Sequence, residues 1–599
     1  MSTTDDLREM ATIAQATRFL TVPRAYRPTP APGGGLAFAS DMAGLAQTYL
    51  LSAPDRFPVR VAPSQDRVLP VAHTPQGLLV RFDEGGNEVW QLGLVGAGGR
   101  LRPLTGDAKA IHRGVTVAPD GRSAGLAYNP GGRADWVLAE LDLETGAIEH
   151  RLDRGGHWTW TAWGPDRLVA VSEDYGSLRN AAHLLAPDGT LSPLLPEARL
   201  VADVFWGRDG LFALTNLERE FVGLAEVDSG DPGRIVRWVV LEDRHDVRAA
   251  VCDPTGTLAL VVVNQGPYDE LRVVELASGA ARGAGSLPPG MLYSDNSTQP
   301  AEQVAWSAAG TSLFVAWESA SLPAELYEVP VGKESPAVVW TRAGGARPSG
   351  LAEPAEVRIP SFDGEVVPGL HYRVDGSPRP TVVLFHGGPE GQSRANFNPI
   401  ISMWTEAGFD VLAPNVRGST GYGVRYSSLD DRELRWNSVR DGCEVGRWLR
   451  AQGMATSLIA TGGSYGGFMT LAVLVEAPDL WDAGIDVVGI ADWHTFFRNT
   501  SGWRRSMRVT EYGEPNGPDG EFLASFSPLR RADLIRAHLL VIHGRNDPRV
   551  PLSEAEQIHE AVPGSELLVF DDEGHGIARH GNRVRAYGRA LEFVRERLG

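Results

Sequence analysis

One pentapeptide of the 599-residue chain has the residue types of a nucleophile on a sharp turn. Gly462-Gly463-Ser464-Tyr465-Gly466 follows the apolar run from Leu458 to Thr461 and precedes a predicted helix that opens at Gly466. A serine on a tight strand-to-helix turn projects its hydroxyl into a cleft, and glycines let the flanking backbones pass closely. Ordinary glycine-rich turns share this pattern, so the spacing alone does not identify a catalytic serine.

A serine hydroxyl needs a base that is oriented by an acid, and two later strand ends offer such a pair. The predicted strand from Leu539 to His543 is followed by Asp547, and the one from Glu566 to Phe570 is followed by His575. Serine, acid and histidine therefore occur in the order that an α/β-hydrolase requires. The sequence leaves His580 open as another base, and Asp571 or Asp572 as another acid.

An acyl-transfer site also needs hydrogen-bond donors for the negative charge that develops on the substrate oxygen. The backbone N–H of Tyr465, directly after the serine, is one expected donor. The predicted strand from Thr381 to Phe385 ends at His386-Gly387-Gly388-Pro389, a loop that could supply the second donor. Taken alone, this loop is an ordinary Gly-Gly turn.

The second half of the chain, residues 346–599, has the pattern of elements that would position these groups. Short apolar strands alternate with longer helical stretches, which predicts an α/β-hydrolase domain with a mainly parallel, doubly wound sheet. Active residues then belong on loops at the carboxyl ends of the strands. The Gly- and Pro-rich stretch around Gly344 to Pro354 predicts a linker before this domain.

Residues 25–345 repeat a different pattern, in which two short apolar strands flank a turn with Gly or Asp. The turns lie 43 to 54 residues apart, close to the length of one four-stranded propeller blade. Seven such turns predict a seven-bladed β-propeller, although a count from turns can miss by one and a pair of β-sandwiches is the alternative. The turn residues are Gly34, Gly77, Gly121, Asp166, Gly210, Gly256 and Gly310.

The first 24 residues differ from the propeller pattern. Leu7, Met10, Ala11 and Ala14 are spaced like one face of a helix. We therefore expect an N-terminal helical segment outside the propeller.

The charge of the chain argues against two classes of partner. Lys plus Arg number 56 against 75 Asp plus Glu, a net charge of -19, which opposes attraction to phosphate backbones and anionic lipid. No nucleic acid or membrane partner is expected, and a homo-oligomer is left open. The acidic start of the chain does not resemble a secretory signal, and no run approaches the length of a membrane helix, so a cytoplasmic location is predicted.

No cofactor or metal is expected. The only two cysteines, Cys252 and Cys443, fall in different predicted domains, so they indicate neither a disulfide nor a thiolate metal site. A His-Glu-x-x-His pattern is missing from the sequence, and Gly96 to Gly99 is not followed by a helical pattern, as a nucleotide loop would be.

Five motifs, taken in order, resemble the prolyl oligopeptidase family of serine peptidases. This resemblance spans the whole chain and implies a seven-bladed propeller before the hydrolase domain. The motifs are His386 to Pro389, Asn415 to Gly423, Gly462 to Gly466, His543 to Pro551 and Glu573 to Gly576.

Within that family, the His-Gly-Gly-Pro loop is most similar to the acylaminoacyl-peptidase branch. The resemblance implies that the N–H of Gly388 joins that of Tyr465 in the oxyanion hole. It also implies that Arg549 helps to hold the substrate backbone. Trp493 and Phe496, with Phe497 beside them, match the segment of the apolar specificity pocket, and aromatic packing under a helical lid is the alternative for either phenylalanine.

The resemblance implies a serine peptidase that hydrolyses amide bonds of short peptides through an acyl-enzyme on Ser464, with a propeller that screens out folded proteins. One alternative is a dipeptidyl aminopeptidase or oligopeptidase, for which Glu218 and Glu220 are conceivable ammonium ligands outside the predicted site. Another is an amidase or esterase acting on small acylated metabolites such as aminoacyl antibiotics. A decayed, non-enzymatic scaffold is disfavoured because Ser464, Asp547 and His575 are all present.

Overall fold

The structure is a computed structural model that describes residues 13–196, 199–294, 299–333, 335–345 and 351–598. Within these ranges, seven small antiparallel sheets precede one eight-stranded sheet that is mostly parallel. The predicted fold class is confirmed: a seven-bladed β-propeller is followed by an α/β-hydrolase domain.

Each propeller blade is built from consecutive strands. In the last blade, β25 and β26 both pair with β27. The strands of blades 1 to 4 are β1 (Ala25–Pro30), β2 (Leu36–Ser40), β3 (Gln47–Leu51), β4 (Val59–Arg60); β5 (Val68–Thr74), β6 (Gly77–Phe82), β7 (Gln91–Val95), β8 (Leu101–Pro103); β9 (Ile111–Val117), β10 (Ser123–Asn129), β11 (Val137–Asp142), β12 (Ile148–Leu152); and β13 (Trp158–Trp163), β14 (Val169–Gly176), β15 (Arg179–Leu185), β16 (Leu191–Leu195). Those of blades 5 to 7 are β17 (Val201–Trp206), β18 (Leu211–Thr215), β19 (Gly223–Val227), β20 (Ile235–Val240); β21 (Val247–Cys252), β22 (Leu258–Asn264), β23 (Asp269–Glu275), β24 (Ala281–Arg282); and β25 (Met291–Leu292), β26 (Val304–Trp306), β27 (Ser312–Ser319), β28 (Leu322–Pro330), β29 (Val338–Val339).

The ring closes by side-chain packing between its first and last blades. Among the described strands, none is shared between these two sheets. The Arg27 guanidinium of blade 1 instead forms an ion pair with Glu302 at 2.6 Å, and the Arg27 N–H donates to Gln303 Oε1 at 3.1 Å. A junction without a shared strand is held by such contacts and by buried apolar side chains.

The hydrolase sheet has the strand order β30-β31-β33-β32-β34-β35-β36-β37. The pairs β30–β31 and β31–β33, at one edge, are antiparallel, and the other pairs of this sheet are parallel. The strands are β30 (Ala355–Pro360), β31 (Val366–Tyr372), β32 (Arg379–Phe385), β33 (Asp410–Pro414), β34 (Ala455–Gly463), β35 (Ala483–Val487), β36 (His538–Gly544) and β37 (Glu566–Phe570).

Helices cover both faces of this sheet. Neighbouring strand residues point to opposite faces, so each strand contributes side chains to both. Val541 packs in one buried cluster and Leu540 in the other, as expected for a doubly wound sheet. The helices are α1 (13–20), α2 (Pro399–Glu406), α3 (Gly423–Ser427), α4 (Arg435–Ala451), α5 (Tyr465–Glu476), α6 (Trp493–Asn499), α7 (Gly502–Tyr512), α8 (Gly520–Phe526), α9 (Ser553–Ala561) and α10 (His580–Leu598).

The N-terminal helix α1 packs on the hydrolase domain. Phe19 and Leu20 are fully buried in the same cluster as Phe593 of α10, and Arg583 donates to the Leu20 carbonyl at 3.1 Å. Of the residues that predicted a helix, Ala14 lies in α1. The other three, Leu7, Met10 and Ala11, lie outside the described residues.

The last propeller strand ends at Val339 and the first hydrolase strand begins at Ala355. Between them, residues 346–350 lie outside the described ranges. Within those ranges, no helix combines the length and apolar character needed to cross a bilayer.

Loops at the carboxyl ends of the parallel strands meet the propeller. Arg394, after β32, pairs with Asp269 of blade 6 at 2.8 Å, and Asn264 of the same blade donates to Gln392 Oε1 at 2.8 Å. The propeller therefore covers the edge of the sheet at which active residues are expected.

Candidate active site

Ser464 stands on a strained turn between strand β34 and helix α5. Its backbone has φ 60° and ψ −118°, a conformation that L-residues rarely adopt and that costs about 1–3 kcal/mol. A Cβ on Gly466 would lie 2.2 Å from the Phe385 carbonyl oxygen, so only glycine fits there. Close packing of β32 against the turn thus holds the serine at the strand end.

Two backbone N–H groups lie beside Ser464. As the first residue of α5, Tyr465 has an N–H without an intrahelical acceptor. Gly387 and Gly388 follow β32 and line the same cavity as Ser464, and a Cβ on Gly387 would lie 3.6 Å from the Ser464 Cβ. In the described part of the chain, neither the Gly388 N–H nor that of Tyr465 donates a hydrogen bond, so both can serve an oxyanion.

The His386 ring holds the loop of Gly387 and Gly388 in position. Its Nε2 lies 2.8 Å from Ser419 Oγ and its Nδ1 lies 2.9 Å from the Gly387 carbonyl oxygen. Burial lowers the pKa of His386, which keeps the imidazole neutral. The ring therefore positions the loop without adding charge next to Ser464.

Asp547 and His575, from the loops after β36 and β37, form a buried pair. His575 Nδ1 lies 2.7 Å from Asp547 Oδ2, while Asp547 Oδ1 accepts from the N–H groups of Arg549 at 2.8 Å and Val550 at 3.0 Å. A carboxylate can only accept this bond, so Nδ1 carries the proton and Nε2 is left unprotonated, as a base would need. The three bonds fix the orientation of both side chains.

His575 and Ser464 line one cavity. In the described part of the chain, no hydrogen bond joins their side chains. Catalytic hydrogen bonds often form only when substrate is bound, so this geometry is compatible with proton transfer from the serine.

The alternative acids and base lie elsewhere. His580 Nε2 is 3.3 Å from Asp41 of the propeller and outside the cavity of Ser464. Asp571 pairs with Arg545 at 2.6 Å, and Asp572 pairs with Arg579 at 3.1 Å. Of the bases that the sequence left open, His575 lines the cavity that contains Ser464 and His580 does not, and of the acids, Asp547 is the one bonded to His575.

The Arg549 side chain reaches from the hydrolase domain to the propeller. Its Nη2 lies 2.9 Å from Oε1 of Glu88, on the loop between β6 and β7, and Arg504 Nη2 lies 2.7 Å from Oε2 of the same carboxylate. Burial opposes the charge on Glu88, but the two guanidinium groups outweigh it and lower the pKa to about 2. Glu88 could not be singled out from the sequence, because an acid in a loop is usually solvated.

Of the aromatic residues predicted for the specificity pocket, Phe496 lines the cavity. Trp493 does not: it is fully buried behind Phe496, with ring centroids 5.7 Å apart, and packs on Tyr512 at 4.3 Å. Phe497 is buried in the same cluster. Trp493 thus supports the wall of the pocket from behind, which corrects the expectation that it touches substrate. Trp503 of α7 lines the cavity and was missed.

The cavity lies between the two domains and has a volume of about 820 Å³. Trp90, Arg113 and Trp136 line it from the propeller, opposite Ser464 and His575. Cavities of about 300–1,000 Å³ hold small ligands, so a short peptide fits and a folded domain does not.

A buried ionic cluster lies next to the loop His386 to Pro389. Glu390, directly after Pro389, is 3.5 Å from Arg508, which also pairs with Glu511 at 3.1 Å. Arg435 pairs with Glu511 at 3.0 Å and with Asp430 at 2.9 Å. Burial raises the pKa of Asp430 to about 7 despite this partner. The cluster ties the loop to α4 and α7.

The residues described by the structure include no group of three His, Cys, Asp or Glu side chains arranged to hold a metal. Burial raises the pKa of the Cys252 and Cys443 thiols to about 12, so both thiols stay protonated.

The sequence is similar to a protein-family model and to curated proteins. Residues 395–599 match the model of the prolyl oligopeptidase family. Dipeptidyl aminopeptidase BIII of Pseudoxanthomonas mexicana is 30% identical over 391 residues, which cover 61% of this chain and 55% of that protein. An acylamino-acid-releasing enzyme of Arabidopsis thaliana is 25% identical over 248 residues, 38% of this chain and 31% of that protein. The chain thus matches about half, or less, of the length of these relatives.

Solved structures resemble the whole fold. A puromycin-hydrolyzing peptidase of Mycobacterium tuberculosis superposes with a TM-score of 0.83 at 19% identity, covering 98% of this chain and 96% of that one. An acylaminoacyl peptidase of Pyrococcus horikoshii superposes with a TM-score of 0.69 at 17% identity, covering 97% of each chain. At these identities the likeness concerns the fold alone.

Proposed function

We propose that this chain, whose residues 395–599 match the model of the prolyl oligopeptidase family, is a serine peptidase that hydrolyses amide bonds in short peptides through an acyl-enzyme on Ser464. The observation that carries the proposal is the position of the Ser464 elbow in one cavity with His575, whose Nδ1 lies 2.7 Å from Asp547. The names of the curated relatives, an aminopeptidase and an acylamino-acid-releasing enzyme, support peptide substrates.

In the proposed reaction, Ser464 Oγ attacks the scissile carbonyl carbon while His575 Nε2 takes the hydroxyl proton. The Asp547 carboxylate stabilises the imidazolium that forms. The N–H groups of Gly388 and Tyr465 donate to the oxyanion. His575 then returns the proton to the leaving amine, and a water molecule, activated by the same imidazole, hydrolyses the ester on Ser464.

The charges in the cavity favour a blocked substrate N-terminus. The Glu88 carboxylate is already neutralised by Arg549 and Arg504, and Glu390 lies beside Arg508. To bind at Glu88 or Glu390, a substrate ammonium would have to displace one of these guanidinium groups. We therefore propose a preference of the acylaminoacyl-peptidase type.

A dipeptidyl aminopeptidase is the second candidate, because Glu88 would become an ammonium ligand if Arg549 moved away. Glu220 does not fill that role: its Oε1 accepts from the Arg425 N–H at 2.7 Å and it lies outside the cavity of Ser464. An amidase or esterase of small acylated metabolites uses the same acyl-enzyme chemistry and is the third candidate.

Three chromogenic substrates separate these functions: acetyl-alanyl anilide, dialanyl anilide and a short acyl ester. We expect kcat/KM to be about tenfold higher for acetyl-alanyl anilide than for dialanyl anilide. Faster turnover of the free dipeptidyl anilide would favour the aminopeptidase. Turnover of the ester alone would contradict a peptidase.

We also propose the division of the chain into an N-terminal helical segment (1–24), the propeller (25–345) and the catalytic domain (346–599). The position of the propeller over the cavity supports its role as a size filter. A cytoplasmic location stays a prediction of the sequence, and a homo-oligomer stays open.

A further inference from the structure

The cavity that contains Ser464 has a charge opposite to that of the protein. The chain carries a net charge of -19, yet seven arginines and three carboxylates are among the described residues that line the cavity. A concave site lined mainly by one sign of charge attracts ligands of the other sign. The composition of the lining therefore indicates an anionic group on the substrate.

Most of these arginines have a carboxylate partner in the walls. A guanidinium that is already paired offers little binding energy to a substrate anion. Arg248 and Arg394 share Asp269 at 2.7 and 2.8 Å, Arg504 and Arg549 share Glu88 at 2.7 and 2.9 Å, and Arg508 pairs with Glu511 at 3.1 Å.

Arg113, on β9 of blade 3, differs from these residues. In the described part of the chain, its side chain makes no hydrogen bond or ion pair, and its Nε is buried without a partner. Asp174 is the acid whose charge acts on Arg113, but its carboxylate accepts from Thr159 and Ser172 at 3.0 and 2.9 Å. Burial lowers the pKa of Arg113 to about 10, so the group stays charged at neutral pH.

Two tryptophans hold the Arg113 guanidinium in place. Its Cζ lies 3.9 Å from the ring centroid of Trp136, in the propeller, and 5.2 Å from that of Trp503, in the hydrolase domain. Aromatic rings stabilise the faces of a guanidinium and leave its N–H edges available. Those edges match the two oxygens of a carboxylate.

We propose that Arg113 binds a carboxylate of the peptide substrate while Ser464 cleaves an amide bond of the same peptide. The proposal rests on the peptidase function proposed above. An unpaired buried charge is unfavourable, and a substrate carboxylate removes that penalty on binding. The carboxylate comes either from the C-terminus of the peptide or from an Asp or Glu side chain.

Three acetylated peptides of one sequence distinguish the two sources: a free C-terminus with Gln, an amidated C-terminus with Gln, and an amidated C-terminus with Glu. We expect wild type to cleave one of the two charged peptides with a kcat/KM at least tenfold above that of the uncharged peptide. In Arg113→Met, this ratio should fall below twofold through a higher KM. Arg113→Lys should keep part of the preference, since it retains the charge without the planar fork.

Arg154→Met is the matched control. Arg154 is exposed, stacks on Trp158 at 5.1 Å and lies outside the cavity. This variant should keep the wild-type ratio. Wild type without a preference for either charged peptide, or Arg113→Met with the wild-type ratio, would overturn the proposal.

A binding arm separates this proposal from the peptidase function. In Ser464→Ala, calorimetry should give a Kd for the preferred charged peptide at least tenfold below that for the uncharged peptide, and adding Arg113→Met should remove the difference. If wild type cleaves none of the peptides, the peptidase proposal fails, while this binding difference still decides the role of Arg113. Equal Kd values for all three peptides in Ser464→Ala would contradict the proposed role of Arg113.

Discussion

The carboxylate of Glu88 in the propeller lies 2.9 Å from the guanidinium of Arg549 in the hydrolase domain, two residues after Asp547. Arg504 approaches the same carboxylate to 2.7 Å. Because the Arg549 N–H also donates to Asp547 at 2.8 Å, the backbone that fixes the acid continues into a contact with the other domain. The contact between the two domains and the position of Asp547 are thereby linked.

Replacing Glu88 by Gln should lower both stability and activity. It leaves the half-buried guanidinium groups of Arg549 and Arg504 without an acid, which costs on the order of 3 kcal/mol. We expect a lower urea midpoint and a kcat/KM reduced by about tenfold or more. Glu84→Gln, on the exposed part of the same loop, is the control and should behave as wild type. A Glu88→Gln protein with wild-type stability would argue against the link.

The stabilisation by Glu88 should depend on pH. Its pKa falls from 4.5 in the unfolded chain to about 2 in the folded protein, so its contribution is full above about pH 4.5 and is lost as the pH falls towards 2. We therefore expect the difference in unfolding free energy between wild type and Glu88→Gln to be larger at pH 7 than at pH 3. A difference that grows towards pH 3 would contradict the assignment.

Asp547→Asn should lower kcat by about 10³–10⁴, since the amide no longer holds His575 in the tautomer that leaves Nε2 as base. The fold should persist because Asn can still accept from the N–H groups of Arg549 and Val550. Asp571→Asn provides the comparison, as this acid lies on the loop after β37 and pairs with exposed Arg545. Steady-state kinetics on the acetylated anilide checks both. A reversed pattern would make Asp571 the acid.

Gly466→Ala should unfold or strongly destabilise the catalytic domain. The added Cβ would lie 2.2 Å from the Phe385 carbonyl oxygen, a backbone atom that cannot rotate away. We expect a loss of about 3 kcal/mol or more in urea unfolding. Gly463→Ala is the matched variant, because its nearest neighbour would be 3.9 Å away. Equal stability of the two proteins would contradict the packing of β32 against the elbow.

Phe496→Ala should change substrate selectivity, because Phe496 lines the cavity whereas Phe497 is buried behind it. We expect the ratio of kcat/KM for acetyl-phenylalanyl over acetyl-alanyl anilide to fall by about 10–200-fold. Phe497→Ala should reduce stability and leave this ratio within twofold. Parallel changes in both variants would show that Phe496 acts through packing alone.

The sequence predicted the fold well because its signals are local. Six of the seven turn residues from Gly34 to Gly310 lie between two paired strands of a blade, Gly77 is the first residue of β6, and all but Gly210 adopt a positive φ. Gly466 and the order of Ser464, Asp547 and His575 are equally local, since each group follows a strand of an α/β pattern.

Contacts between the domains could not be predicted in this way. Glu88 and Arg113 lie in propeller segments whose residue types are common on solvated surfaces, and only the docked hydrolase domain gives them Arg549 and Trp503 as neighbours. The position of Trp493 within its own domain could not be predicted either. The pattern gives the segment, but the rotation of α6 decides that Phe496 and not Trp493 faces the cavity.

Labelling with a fluorophosphonate probe, read by intact mass and peptide mapping, tests the central claim most directly. Wild type should gain one adduct, located on Ser464, and Ser506→Ala, in the interdomain helix α7, should do the same. Ser464→Ala should gain none, and His575→Ala should react far more slowly because the hydroxyl has lost its base. Equal labelling of wild type and Ser464→Ala, or an adduct on another residue, would contradict the account.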